Sequence, residues 1–398
     1  MGKDFVIGCV GKPSAGKSSF FNAVTDAANA KVGNYPFTTI EPNQGIAYYT
    51  TQCPCKRFNA QCKPRYGSCI NGKRKIPVKL LDIAGLIPGA SQGRGLGNKF
   101  LDDLRHADVL LHIVDVSGCT NEKGEITIGY DPSHDHEWLV EEIELWIFNN
   151  LWSRWPSIAR RHNNTKSPLA ATLLSQLSGY DTKESMIDDL LNALEFSDPV
   201  NLLLWDAEKI RHMGGDTAAN ALKISKKHAD TYVLLCSALA ECFLRKLKHQ
   251  RYILYEEGQM NFVDAEQPQG KEHNLKPLDD KLKTRLRNIQ NLVLYRHGST
   301  GVQAGINLAV ETAGLIPVYP VKNIHQLRSD GMHTEVFPEC ILVRPGTSVK
   351  TFARMLCHGI ECNFLYAEGI DGRRVSEDEI LSLENNILHF VTSRTEKV

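Results

Sequence analysis

Gly11-Lys12-Pro13-Ser14-Ala15-Gly16-Lys17-Ser18 is the stretch that decides how this chain is read. It matches G-x-x-x-x-G-K-[ST], and its flanks supply the context the motif needs: Asp4–Val10 reads as an apolar strand before it and Ser18–Thr25 as a helix after it. The glycines let backbone amides wrap phosphate oxygens at a helix N-terminus. Lys17 is placed to set its ammonium on the terminal phosphates, and the Ser18 hydroxyl to ligate magnesium. Gly11, Ser14, Ala15, Gly16, Lys17, Ser18 and Ser19 are therefore the candidate nucleotide contacts.

Downstream, Ile76–Leu81 reads as a strand ending in Asp82-Ile83-Ala84-Gly85. D-x-x-G is weak alone, but at a strand end after a phosphate loop it gains meaning: the Asp82 carboxylate holds magnesium through water and the Gly85 amide meets the terminal phosphate. Between the two motifs lies Tyr35-Pro36-Phe37-Thr38-Thr39, where a switch loop must supply a hydroxyl to the metal. Thr39 is the chosen ligand, which makes Ser18, Thr39 and Asp82 the magnesium set and Lys17, Thr39 and Gly85 the catalytic set.

The chain has 398 residues, enough for two or three domains with cores of their own. Lys plus Arg and Asp plus Glu number 46 each, so no net positive field argues for nucleic acid and any RNA contact must be local. Basic residues do recur from Arg245 to Arg287, but with acids interleaved. A solvated helical face is the preferred reading there, and an RNA- or ribosome-facing patch the minority one. Neither a signal peptide nor an apolar run long enough for a bilayer is expected, so the protein is read as cytoplasmic without membrane association. Four of the five tryptophans, Trp138, Trp146, Trp152 and Trp155, fall at helical spacing in Asp131–His162 and are read as core of a helical insertion rather than a base-stacking surface. Asp230–Cys236 is expected to be the last strand of the sheet, followed by a helix over Ala240–Lys248.

Tyr35–Asn43 (YPFTTIEPN), Asp82–Lys99 (DIAGLIPGASQGRGLGNK) and the glycine loop together resemble the Obg family of P-loop GTPases, YchF-like subfamily, over nearly the whole chain. The resemblance implies an α/β P-loop NTPase fold, an Obg-type G domain over 1–275 with a helical insertion at about 120–212 and a cysteine-rich excursion at 53–75. A connector over 276–333 would follow, then a TGS domain of ubiquitin-like β-grasp fold over 334–397, which includes Phe364–Arg374 (FLYAEGIDGRR). Related proteins keep a threonine at the Thr39 position, which favours it over Thr38. The implied activity is slow, Mg²⁺-dependent GTP hydrolysis as a molecular switch, with ribosomes or translation factors as partners; oligomeric state is left open.

The sequence departs from the family in two places. Leu86 follows Gly85 where Ras-like enzymes place a water-orienting glutamine, so slow turnover is expected. No N-K-x-D guanine-recognition box occurs anywhere in the chain. Trp205-Asp206-Ala207-Glu208 is one candidate remnant, but loss is preferred: about twenty residues missing near Met213–Asp216, enough for a strand and its loop. Ser237-Ala238, within Leu235–Glu241 (LCSALAE), matches the family's last base-contacting box. Two rivals follow, an ATP-preferring enzyme of the same fold and a non-hydrolysing scaffold.

Cys53, Cys55, Cys62 and Cys69 form a C-x-C-x6-C-x6-C series among 11 cysteines. Four thiolates suffice for a tetrahedral Zn²⁺ site, but the series lacks the paired C-x2-C spacings of zinc ribbons, so reduced, non-liganding cysteines are the preferred reading. His106, His112, His134 and His136 have no ligand-like spacing with them.

Overall fold

The computed structural model describes residues 5–25, 44–60, 62–89, 103–104, 106–177, 182, 184–193, 202–205, 207, 232–324, 327, 336–356 and 364–392. These fall into two compact units, one drawn from 6–21 and 81–234, the other from 1–5, 22–80 and 235–398.

The first unit carries the phosphate loop. Strand β1 (Val6–Val10) runs straight into the loop and helix α1 (Lys17–Val24) leaves it. β1 pairs in parallel with β5 (Val109–His112), Ile7 opposite Val109 and Val10 opposite His112. Such an alignment brings the C-terminal ends of both strands to one edge, where ligands bind in open α/β sheets. Around it pack helices α2 (His134–Trp152), α3 (Trp155–Thr165), α4 (Leu169–Leu177) and α5 (Glu184–Ala193). Leu139, Ile143, Ile147 and Leu151 of α2 recur at four-residue spacing and form a single core with Val10, Ile83, Leu86, Ile158 and Leu173. The tryptophans divide as their chemistry allows. Trp155 is buried, stacked on Trp205 at 5.6 Å, with its indole N–H donating to Leu202 O at 3.2 Å. Trp152 is 41% exposed and stacks on Phe148.

In the second unit β2 (Gln44–Gln52), β3 (Ser68–Ile70) and β4 (Lys73–Asp82) precede the C-terminal elements, with residues Lys73 to Leu80 of β4 belonging here. β4 alternates strictly, burying Arg74, Ile76, Val78 and Leu80. Arg74 breaks the apolar pattern, and its guanidinium is satisfied by donating to Phe337 O at 2.5 Å and Pro338 O at 3.1 Å. Helix α6 (Ala238–His249) packs Phe243, Leu244 and Leu247 against the hairpin of β6 (Ile253–Tyr255) and β7 (Phe262–Asp264) and against α7 (Asp280–Ile289). Asp279 caps α7, its carboxylate accepting from Leu282 N at 2.7 Å. Arg285 lies over the Phe243 ring and Lys283 pairs with Glu266, so these basic residues are engaged in local structure.

After α8 (Val302–Thr312) comes a five-stranded sheet of order β11-β10-β12-β8-β9, formed by β8 (Ile316–Val321), β9 (Ile341–Val343), β10 (Phe364–Glu368), β11 (Arg374–Val375) and β12 (Ile387–Thr392). β8 and β12 run parallel and the other pairs antiparallel. β8 is covered on both faces, which explains its unbroken apolar sequence. Val318 meets Val349 and Phe352 of α9 (Val349–Leu356), while Tyr319 and Val321 meet Cys53, Cys55 and Phe337 on the other side.

The strand expected over Asp230–Cys236 is absent from its described part. Residues 232–236 carry no strand pairing, and Tyr232, Val233, Leu234 and Leu235 are exposed. β-propensity selects a strand only when a neighbour offers a ladder.

Glu257 is held between Lys75 (2.6 Å) and Lys248 (2.8 Å). Burial alone would raise its pKa, but the two ammonium groups outweigh that and hold it at about 2. A carboxyl depressed on folding stabilises the protein above its unfolded value near 4.5 and loses that contribution as pH falls toward 2. Glu257→Gln should therefore cost up to about 3 kcal/mol at pH 7 and flatten the fall in urea midpoint between pH 4.5 and 2.

Candidate functional site

The loop after β1 owes its shape to three unusual backbone positions. Gly11 has φ 144°, Ser14 φ 63° and Gly16 φ 97°. A Cβ at Gly11 would lie 2.4 Å from Ile113 O, so only glycine fits beside the end of β5. Ser14 adopts the left-handed conformation without being glycine, a modest strain of the kind found at ligand-binding turns. The loop closes on α1, whose first turn is set by Phe20 N donating to Gly16 O at 2.9 Å and whose leading amides have no helical partner. An anion is the natural ligand for such a concavity.

Lys17 is buried and turned back on its own loop, its Nζ donating to Lys12 O at 2.7 Å and Gly11 O at 3.1 Å. Burial lowers its pKa, against the opposing pull of Asp82. Ser18 Oγ donates to Asp82 Oδ2 at 2.8 Å. Asp82 Oδ1 is buried with no hydrogen-bond partner among the described residues. An orphaned carboxylate oxygen next to a hydroxyl, with a lysine in its field, is a donor set suited to a hard divalent cation. Gly85 sits directly against the loop, where an added Cβ would be 2.9 Å from Pro13 N and 3.0 Å from Pro13 Cα. Ile83 N donates to Cys9 O and Leu86 N to Gly11 O, so the D-x-x-G segment is stitched to β1 and the loop. Leu86 is 1% exposed and part of the core, away from any position where a side chain could orient water.

Gly11, Ser14, Ala15, Gly16, Lys17, Ser18, Ser19, Asp82 and Gly85 thus lie in one unit, on the loop and on the elements that flank it. Thr38 and Thr39 fall outside the described residues, as do Asp206 and the segment 208–231. Ser237 and Ala238 belong to the other unit. There the Ser237 amide donates to Thr300 O at 2.8 Å, and Gly301 approaches Leu235 so closely that a Cβ would fall 2.1 Å from its carbonyl oxygen.

Nothing in the local motif marks what Lys12 does. It is fully buried, paired with Asp135 at the start of α2 at 3.0 Å, donates to Thr120 O at 2.7 Å, and lies over the Tyr130 ring. Tyr130 Oη and Trp138 Nε1 complete the shell by donating to Asp135 Oδ1 at 2.8 and 3.3 Å. Lys12 is therefore committed to anchoring the loop. His112 backs the loop at the end of β5; burial, with help from His136, depresses its pKa to about 4 and keeps it neutral.

The four cysteines converge in the other unit: their Sγ atoms all lie within 4.8 Å of one another. Cys62 hydrogen-bonds Cys53 and thereby lowers the Cys53 pKa, while burial raises those of Cys55 and Cys69.

A family model described as 50S ribosome-binding GTPase matches residues 6–141, and one described as Obg-like GTPase YGR210-like, G4 motif-containing domain, matches 209–323. An uncharacterised GTP-binding protein of Schizosaccharomyces pombe is 45% identical across 100% of both chains. The chain belongs to the Obg-like, YchF-type P-loop GTPases. Its fold is that of a GTP-binding protein from Pyrococcus horikoshii OT3, whose crystal structure matches with a TM-score of 0.69 and 28% identity over 98% of this chain and 100% of that one. A shorter match, 38% identical over 35% of each chain, is to the protein named ribosome-binding ATPase YchF of Bacillus subtilis. The yeast alignment runs over 417 positions against the 398 residues here, so at least 19 of its positions have no residue in this chain. Among the described residues, no helix of this family member is long and apolar enough to cross a membrane.

Removing one member of a buried ion pair strands the other charge. Asp135→Ala should lower unfolding stability by about 3–5 kcal/mol. Adding Lys12→Met should restore much of it, a non-additivity read in a urea double-mutant cycle.

Proposed function

We propose that this protein is a Mg²⁺-dependent GTPase switch whose reaction centre is the loop from Gly11 to Ser19 with Asp82 and Gly85. The observation that carries the reading is the Ser18–Asp82 hydrogen bond with its orphaned second carboxylate oxygen, set beside a buried lysine at the mouth of a phosphate loop. Ser18 and Asp82, with Thr39, would hold magnesium, which when bound would supply positive charge to offset the negative charge of the phosphates. The chain's own part is positional. The loop amides and the leading amides of α1 bind phosphate oxygens, and Lys17, freed from the carbonyls it now contacts, turns onto the terminal phosphates. The Gly85 amide reads the γ-phosphate, the group whose loss on hydrolysis would release the loop that follows. Leu86 offers no proton acceptor to the attacking water, which supports slow intrinsic turnover.

Ser237 and Ala238 enter as base contacts from the family resemblance. With the Ser237 amide engaged by Thr300, the Ala238 amide, at the first position of α6, is the one suited to a purine carbonyl. The absent N-K-x-D box favours a second reading, an ATP-preferring enzyme with the same phosphate site. We read α2 to α5 as the helical insertion. The C-terminal sheet, with α9 on one face and its parallel central pair, supports a β-grasp TGS module, and we take that module to begin at β8 rather than at 334. Relatives named ribosome-binding support a cytoplasmic, ribosome-associated role.

Steady-state hydrolysis of GTP and ATP in magnesium tests the proposal. GTP should be turned over with the higher kcat/KM, and Lys17→Ala should lower it by about 10²–10³-fold without altering the folded circular-dichroism spectrum. Higher kcat/KM for ATP would move the protein to the second reading. Turnover unchanged in Lys17→Ala would place the activity outside this loop.

A further inference from the structure

The cysteine tetrad is not used by any nucleotide chemistry, and its geometry is specific. Cys53 follows the end of β2, Cys55 lies in the turn Pro54–Lys56, Cys62 is in the loop beyond, and Cys69 is the middle residue of β3. Cys53 and Cys62 are 3.7 Å apart at sulfur, as are Cys55 and Cys69. A disulfide would need about 2 Å, so neither pair is bonded. Four thiolates at the usual Zn–S distance of about 2.3 Å stand about 3.8 Å apart along the edges of their tetrahedron. The Cys53–Cys62 and Cys55–Cys69 pairs sit at that edge length, and no sulfur in the set is farther than 4.8 Å from another.

The surroundings also suit a metal. Cys53 and Cys55 are buried and Cys62 and Cys69 half-buried, and neutral thiols are only weak hydrogen-bond formers in such surroundings. Arg74, itself buried, donates to Cys62 Sγ at 3.1 Å while its other contacts hold Phe337 and Pro338. A cation that donates to a thiolate from outside the ligand set is what a tetrathiolate carrying net negative charge requires. The irregular C-x-C-x6-C-x6-C spacing is no objection, because the ligands come from four short segments that the fold, rather than a repeated turn, brings together.

We propose that Cys53, Cys55, Cys62 and Cys69 bind one structural zinc ion as four thiolates, fixing the excursion between β2 and β4 against the C-terminal sheet. Binding displaces the four thiol protons to solvent and involves no electron transfer. The ion would cross-link the excursion within the hydrophobic cluster that Cys53 and Cys55 share with Tyr319, Val321 and Phe337. Beside it, Cys62 bridges to Val336, Arg65 N donates to Pro338 O at 2.7 Å, and Phe58 packs against Phe337. The face of β8 opposite α9, with Tyr319 and Val321, is thereby covered by a metal-held loop.

The test uses the full-length chain, purified under reducing conditions without a metal-affinity step, and does not depend on the nucleotide reading. Elemental analysis should give one zinc per chain, and a mercurial should release it. Replacement by Co²⁺ should produce the sulfur-to-cobalt charge-transfer and d–d bands of a tetrahedral tetrathiolate. Cys55→Ser and Cys69→Ser should lose the zinc. Cys340→Ser should keep it, since Cys340 packs against the same core outside the tetrad. Wild-type protein that holds no stoichiometric zinc and takes up no cobalt when fully reduced overturns the proposal, a result that no folding defect in a variant can imitate. Iron in place of zinc, or equal metal loss in Cys340→Ser, also overturns it.

Discussion

The buried ion pair between Lys12 and Asp135 is the constraint on which the geometry of the phosphate loop depends. A glycine-rich loop with left-handed turns at Gly11, Ser14 and Gly16 has no intrinsic reason to hold one shape. Lys12 supplies it by reaching from the loop to the first turn of α2, where Asp135, Tyr130 and Trp138 leave little freedom. Gly85 and Leu86 then close on the loop through contacts that tolerate no extra atom at Gly85. The site is thus fixed by the helical core behind it as much as by its own sequence. A buried pair of this kind contributes little net stability, because desolvating both charges offsets their attraction. Its use here is positional.

The same arrangement separates two lysines that the motif alone treats unequally. Lys12 is held in a complete shell of partners, whereas Lys17, among the described residues, donates to carbonyls of the loop it serves. A phosphate would exchange those neutral acceptors for charged ones, which strengthens each hydrogen bond. Asp82 is incomplete in the complementary sense, with one oxygen bound to Ser18 and one unsatisfied. A buried lysine and a half-satisfied carboxylate side by side are costly in an empty site and become favourable with an anion and a cation between them.

Much of this was legible in the sequence, and the parts that were not share a cause. The strand–loop–helix around Gly11, the alternation of β4 and the helical spacing of α2 are local patterns, and each forms where its residues direct. Arg74 precedes the strand as read from the sequence, Ile76–Leu81, and a distant pair of carbonyls and a thiol explains its burial in β4. Asp135 carries no mark that separates it from its acidic neighbours, since its role depends on where Lys12 arrives. The run at 232–236 had the composition of a strand, but composition supplies no ladder partner. The C-terminal sheet begins at Ile316, inside the stretch read as a connector, because the parallel pairing of β8 with β12 joins residues far apart in the chain. Thr39 and the segment around Met213 lie outside the described residues, and their roles rest on the family resemblance.

The central claim is that the loop, Lys17 and Asp82 form one Mg²⁺–triphosphate site that still prefers guanine. Calorimetric titration of the intact chain with non-hydrolysable GTP and ATP analogues, with and without magnesium, tests it most directly. Saturable one-to-one binding of the GTP analogue is expected, weakening when magnesium is withheld and disappearing in Lys17→Ala, with weaker binding of the ATP analogue. Failure of the folded protein to bind either analogue in magnesium would contradict it.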